Sequence, residues 1–239
     1  MGRAHEVRKV AMEKTAAVKS KLYAKYGKEI YMAAKNGEPD PDLNQSLKRI
    51  IDKAKKEQVT ADVIKRAIDK AKGGGGEDYS PVRYEGFGPG ASIVIVECLT
   101  DNVNRTIAEV RNCFTKTGGK IGVTGSATHM FHNQAVFVLN DVLEEDILEL
   151  LIENDINVTD IESDEEGVTL LGEATDYNNI KTAILESDPD LDFATDEIMW
   201  LPIMEVELSE EDLDKFNRMM DMLNALDDVQ DVYHNVKLS

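Results

Sequence analysis

Residues 84–131 read YEGFGPGASIVIVECLTDNVNRTIAEVRNCFTKTGGKIGVTGSATHMF, and the parsing of the whole chain follows from this stretch. It begins with a glycine-punctuated turn and passes into a β-branched run from Ile93 to Val96. The period then becomes helical, with Val103, Ile107, Val110 and Phe114 at i, i+4, i+7 and i+11. Gly118 and Gly119 tolerate positive φ just past the last apolar residue, so the helix stops there and Lys120 to Val123 returns as a strand. The predicted unit is β-α-β. Its helix has one apolar stripe and its first strand is apolar at nearly every position, so it needs a second such unit to cover it.

The cover is found at the end of the chain. Ile203 to Leu208 reads as a strand, Ser209-Glu210-Glu211-Asp212 as a capping box, Asp212 to Leu226 as a helix, and Val229 to Val236 as a closing strand. Between the two units lie two strands, Ala127 to Phe131 and Ala135 to Leu139, joined at Asn133-Gln134. A helix from Leu143 to Glu153 follows, then strands at Asn157 to Ile161 and Val168 to Gly172, a helix near Tyr177 to Glu186, and a strand between Phe193 and Leu201. From Ala135 the order is β-α-β-β-α-β, that of a ferredoxin-like fold. Ahead of all this, Met12 to Asn36 reads as one helix, Pro41 to Lys56 as a second capped by Asp40, and a third capped by Thr60 ends at Lys72 before the glycines 73–76. The expected class is α+β, an N-terminal three-helix domain followed by two α/β (ferredoxin-like) domains, one inserted in the other. The expected boundaries are 1–75 for the helical domain, 76–126 with 203–239 for the split central domain, and 127–202 for the insert. Two consecutive, unsplit domains are the alternative.

Across 239 residues the net charge is −19, yet Met1 to Lys72 carries 18 Lys and Arg against 10 Asp and Glu, a net of +8, and the remainder carries −27. A basic head on an acidic body suits a polyanion or membrane surface at the head and repels the same partner elsewhere. Lys14, Lys21, Lys25, Lys28 and Lys35 fall on one face of the first helix, with Arg3, Arg8 and Lys9 upstream. Arg49, Lys53 and Lys56 on the second helix and Lys65, Arg66, Lys70 and Lys72 on the third suit phosphate rather than base contact. The second and third helices could pass for a helix-turn-helix, but the third begins T-A-D-V-I, without the Arg, Asn or Gln that read base edges.

Catalytic and metal chemistry find little support. His129 and His132 sit in an expected strand, where an odd spacing sends the rings to opposite faces. Cys98 and Cys113 show no metal or disulfide spacing and read as buried thiols in a reducing compartment. The acids from Asp160 to Glu166 lack a calcium-loop pattern. GFGPG, residues 86–90, precedes a strand and so reads as a turn rather than a dinucleotide cradle. Asn102, Asn104, Arg105 and Thr106 open a helix after a strand, where such residues cap the helix but where α/β layers also bind ligands. No apolar run is long enough for a membrane span and no secretory signal opens the chain, so a cytoplasmic protein without cofactor or metal is expected.

The run ECLTDNVNRTIAEVR, with YEGFGPGA before it and GGKIGVTGSATHMF after it, closely resembles the YebC family of probable transcriptional regulatory proteins, and PDLNQSLKRIIDKAKKEQVTADVIKRAIDKAKG is similar to that family's second and third helices. The opening Gly2-Arg3-Ala4-His5-Glu6-Val7 departs from the family's usual start and looks more like its YeeN branch. The resemblance implies a three-domain cytoplasmic protein without catalytic activity, some of whose relatives bind promoter DNA while others act in translation at the ribosome. Three functions follow for testing: a DNA-binding transcriptional regulator, a translation factor on ribosomal RNA, and a small-molecule-binding module centred on Asn102 to Thr106.

Overall fold

The computed structural model describes residues 19–73, 76, 78–164, 167–189, 191 and 193–237. Among them are seven α-helices and two four-stranded antiparallel sheets, an α+β fold with helices first and the strands of the second sheet falling, in sequence, between strands of the first. The described residues form two compact units, one holding those up to Ala127 together with Val206–Val236, the other built on Thr128–Glu205. No helix among the described residues is long and apolar enough to cross a membrane.

The head is α1 (Lys19–Lys35), α2 (Gln45–Lys56) and α3 (Ala61–Lys72). Tyr26, Ile30 and Ala34 repeat every fourth residue on α1 and bury against Leu47, Ile51 and Ala54 of α2 and Ile64 and Ala67 of α3. The cap of α2 is Asn44, not the expected Asp40. Its side chain accepts the Leu47 N–H at 3.0 Å and donates to the carbonyls of Ala33 and Glu38, while Asp40 closes a local turn by accepting the Asp42 N–H. Asn wins because it can donate as well as accept, and so ties the helix start to the end of α1. Gln58 adopts a φ of 61° and Val59 N–H reaches back to the Ala54 carbonyl, closing α2 and turning the chain into α3. The part of the first helix expected over Met12 to Val18 lies outside the described residues.

The central sheet runs β3-β1-β2-β8, with β1 at Ser80–Phe87, β2 at Ile93–Thr100, β3 at Lys120–Ile121 and β8 at Val229–His234. The strand β1 corrects the sequence reading, which saw only a turn beginning at Tyr84. Pro81 and Gly86 hide it. Pro81 is tolerated because β3 pairs only with Gly86 and Phe87, leaving the first part of β1 on an open edge. A Cβ at Gly86 would collide with the Phe114 ring, so that glycine admits the helix side chain. The 86–90 segment is the tip of the β1–β2 hairpin, with Ser92 bonded back to Pro89. The expected strand from Ile203 to Leu208 reduces to one parallel bridge, Val206 with Val236, while Ile203 and Met204 stay exposed.

On one face of the sheet pack α4 (Val103–Lys116) and α7 (Glu210–Asn224), which enclose Val94, Val96, Val110, Phe114, Phe216 and Leu223. Ser209 caps α7 through the Asp212 N–H, as its capping box predicts. Gly118 ends α4 at a φ of 84°, with Gly119 N–H on the Phe114 carbonyl at 2.8 Å. Cys98 and Cys113 are buried in this core as free thiols, and burial pushes Cys98 up to about 12.

The second sheet, ordered β5-β6-β4-β7, has the ferredoxin-like sequence β4 (Phe131–Leu139), α5 (Glu144–Glu153), β5 (Asp160–Asp164), β6 (Gly167–Glu173), α6 (Tyr177–Ser187) and β7 (Phe193–Pro202). The two strands expected to meet at Asn133-Gln134 are one. Both residues sit in the ladder opposite Trp200 and Met199, and what precedes them is a 3-10 turn, Thr128–Met130.

Two outcomes are expected. A Cβ on Gly119 would stand 2.6 Å from the Phe87 carbonyl oxygen, so Gly119→Ala should cost roughly 1–3 kcal/mol of stability, read as a lower urea midpoint. His234 packs edge-on to Phe216 at 4.9 Å, and its Nδ1 accepts the Val236 N–H; burial lowers it from 6.5 to about 4. Between those values the unfolded chain holds a proton that the folded chain does not, so stability falls as pH drops through that window and is complete above it. Urea midpoints measured from pH 7 to 4 should lose part of this slope in His234→Gln.

Candidate nucleic-acid interface

Helical spacing puts Lys21, Lys25, Lys28 and Lys35 on one flank of α1, as expected, but the flank faces the protein's own acids. Lys25 Nζ lies 2.9 Å from Asp231 Oδ1 on β8, and both side chains are mostly buried. Lys28 Nζ meets Asp228 Oδ1 at 2.8 Å and the Asp227 carbonyl at 3.0 Å, and stands over the Tyr79 ring. Lys35 pairs with Asp78, just past the glycine linker. Lys21 is half-buried, and its burial lowers the ammonium below its ordinary value, with Asp227 opposing. A solvent-facing lysine stripe is therefore corrected over Lys21, Lys25 and Lys28 to a seam turned toward the sheet, while Lys35 and its partner Asp78 stay exposed. Arg3, Arg8, Lys9 and Lys14 lie outside the described residues.

The seam also anchors the far side of the glycine linker. Tyr79 packs edge-on to Tyr31 of α1 at 6.0 Å, and a Cβ at Gly76 would strike the Tyr31 hydroxyl. Residues beside the linker are thus held against α1, which a flexible tether alone would not provide.

At the centre sits Asp228, with only 5% of its side chain exposed. Its Oδ2 accepts from Arg105 at 2.6 Å, Thr106 at 2.8 Å and Thr100 at 3.0 Å, while Oδ1 takes Lys28. Burial works to raise this carboxyl, but the bonds from Lys28, Arg105, Thr106 and Thr100 prevail and hold it well below the usual carboxylate range. Asn102 caps α4 by accepting the Arg105 N–H at 3.0 Å, and Arg105 adds a second ion pair to Asp101. Of the four residues singled out at this helix start, Asn102, Arg105 and Thr106 therefore serve the cap and the buried carboxylate, Thr106 being the buried one, while Asn104 is exposed. The charge run on α1 was legible in the sequence; its partners Asp227, Asp228 and Asp231 lie some 200 residues away and carry no local signal.

Cations on the head also occupy α2 and α3, which carry Lys48, Arg49, Lys53, Lys55, Lys56, Lys65, Arg66, Lys70 and Lys72 and, within the helices, the acids Asp52, Asp62 and Asp69. Lys48, Lys65 and Lys72 are exposed, and Lys65 and Lys72 share a face seven residues apart. Arg66 pairs with Asp62 one turn away, and Lys70 stands over the Tyr31 ring. No group of three His, Cys, Asp or Glu able to hold a metal occurs among the described residues; His129 lies in the 3-10 turn and His132 on β4.

Because the buried Asp228 carboxylate balances Lys28 and the half-exposed Arg105, Asp228→Asn should destabilise the protein, by less than the roughly 3–5 kcal/mol of a fully buried pair. Lys28→Met should cost less, since Arg105 remains on the same carboxylate. Urea unfolding of both variants and of the double variant would show a coupling energy well above zero.

The TACO1/YebC N-terminal domain model matches residues 3–74, and the model of the family's second and third domain matches residues 79–236. A probable transcriptional regulatory protein of Alteromonas mediterranea is 59% identical over 98% of each chain, and one of Acholeplasma laidlawii is 54% identical over 99% of this chain and 98% of its own. The crystal structure of a conserved hypothetical protein from Aquifex aeolicus superposes with a TM-score of 0.78 at 34% identity, covering 94% of this chain and 93% of that one. With both models matched across nearly its full length, the chain belongs to the TACO1/YebC family.

Proposed function

We propose that this protein is a non-enzymatic, nucleic-acid-binding regulator of gene expression, and that its phosphate contacts come from the outer cations of α2 and α3. The observation that carries this is the charge of those two helices, nine Lys and Arg with three Asp, in a chain of net charge −19. Such a surface favours a polyanion through counterion release, and the acidic remainder keeps the same polyanion off the body. The relatives' description as probable transcriptional regulatory proteins supports the same reading.

Within it, Lys48, Lys65 and Lys72 are the leading contacts, Arg49, Lys53 and Lys56 stand beside them on α2, and Arg3, Arg8, Lys9 and Lys14 add charge ahead of the head. Lys21, Lys25 and Lys28 act instead by fixing how the head is held, and the exposed Lys35 stays with the phosphate contacts. The three-domain division at 1–75, 76–126 with 203–239, and 127–202 belongs to this proposal.

Fluorescence anisotropy of the full chain on a short duplex DNA and on an RNA hairpin, across a salt series, tests it. With roughly 6 phosphates neutralised, the log-log slope of affinity against salt should be near −5 on DNA. Lys48→Glu with Lys65→Glu and Lys72→Glu should weaken binding and make the slope shallower by about 2 to 3. A flat salt dependence of the parent protein on both probes would remove the basis for the reading.

A further inference from the structure

We propose that the outer face of α4 and the turn after it form a second polyanion-contact surface, on the central sheet, taking the phosphate backbone of a duplex or folded nucleic acid. This rests on the nucleic-acid reading above and adds a surface to it.

The first observation is a gap in the acids. Beyond Lys72 the chain carries 36 Asp and Glu against 9 Lys and Arg, yet none of those acids falls between Glu109 and Asp141. Three of the nine bases, Arg111, Lys116 and Lys120, lie in that gap. The second observation is what four of the other six body cations do. Arg83 meets Glu97, Arg105 meets Asp101 and Asp228, Lys181 meets Asp196, and Lys215 meets Glu211. Among the described residues no carboxylate pairs with Arg111, Lys116 or Lys120, and all three are exposed.

Geometry gathers them. Thr106, Val110, Cys113 and Phe114 face the core, which leaves Asn104, Ala108, Arg111 and Thr115 in one outward row at i, i+4, i+7 and i+11. Lys116 flanks the row, and Gly118 carries the chain round to Lys120 on β3 with open space where a side chain would stand. Arg, Lys, Asn and Thr are the side chains that hold phosphate oxygens, and Ala108 leaves the middle of the row flat enough for a backbone to approach. The outward row carries no aromatic side chain, so base stacking, the usual grip on single strands, is absent from the design. The nearby loop is not a phosphate cradle: the N–H groups of Gly125 and Ala127 turn inward onto the buried Glu85 carboxylate at 2.7 and 2.6 Å. Binding here is by side-chain cations.

The test uses the full chain and the same duplex DNA and RNA hairpin, comparing Arg111→Glu with Lys116→Glu against Lys48→Glu with Lys65→Glu. The α4 pair should lose about tenfold in affinity near physiological salt and make the log-log slope shallower by about 2 on the probe it binds. If the head pair weakens binding while the α4 pair stays within about twofold of the parent and keeps its slope, this surface is overturned and the nucleic-acid reading stands. A parent protein with no salt-dependent binding to either probe overturns both. Should charge reversal prevent folding, Arg111→Gln with Lys116→Gln must still lose slope, and an unchanged slope counts against the surface.

Discussion

The Asp228 carboxylate is taken out of water, and a charge in that position persists only if its surroundings supply donors and compensating charge. It receives them from three directions: Lys28 on the helical head, Arg105 and Thr106 on α4, and Thr100 at the end of β2. Each donor is committed to one geometry, so α1, the α4 start and the turn before β8 are held together. Much of what is distinctive in the central unit follows from satisfying this one group. The part of the α1 lysine flank that carries Lys28 must face inward, and Lys25 with Asp231 extends the same seam along β8.

That inward turn redistributes charge. Of the head's cations, Lys25, Lys28 and Lys35 on α1 pair with Asp231, Asp228 and Asp78, while α2 and α3 carry an excess of cations over acids. Two different tasks are thus divided between helices of similar composition. Ion pairs buried in a seam are screened little by salt and act as fasteners, whereas exposed cations remain available to a polyanion and respond steeply to salt. The same contrast recurs on the body, where Arg83, Arg105, Lys181 and Lys215 meet carboxylates while Arg111, Lys116 and Lys120 stand exposed in a stretch without acids.

Periodicity and turn chemistry read well where the signal was local. The Val110 and Phe114 part of the α4 stripe, the glycine stop at Gly118, the Ser209 cap and the β-α-β-β-α-β order of the insert all rest on residues within a turn or two of one another, whereas Val103, expected in the stripe, is exposed. Misreadings came where a distant partner overrode local preference. The strand β1 contains Pro81 and Gly86, which argue against a strand until the open edge and the Phe114 ring are known. Asn133 and Gln134 look like a break but are carried through by the ladder to β7, with Gln134 also paired to Glu173 of β6. Asp40-Pro41 looks like a helix start, yet Asn44 caps the helix because its amide also reaches the end of α1.

By itself the sequence determined the α+β class, the basic head on an acidic body and the gathering of lysines on one side of α1, because each depends on composition or on a repeat of a few residues. Only the tertiary structure decided which way that side faces. A lysine row at helical spacing has the same pattern whether it meets solvent, a phosphate backbone or a carboxylate of its own chain. The choice lies with Asp227, Asp228 and Asp231, residues far along the chain that come within reach of α1 once the sheet has formed.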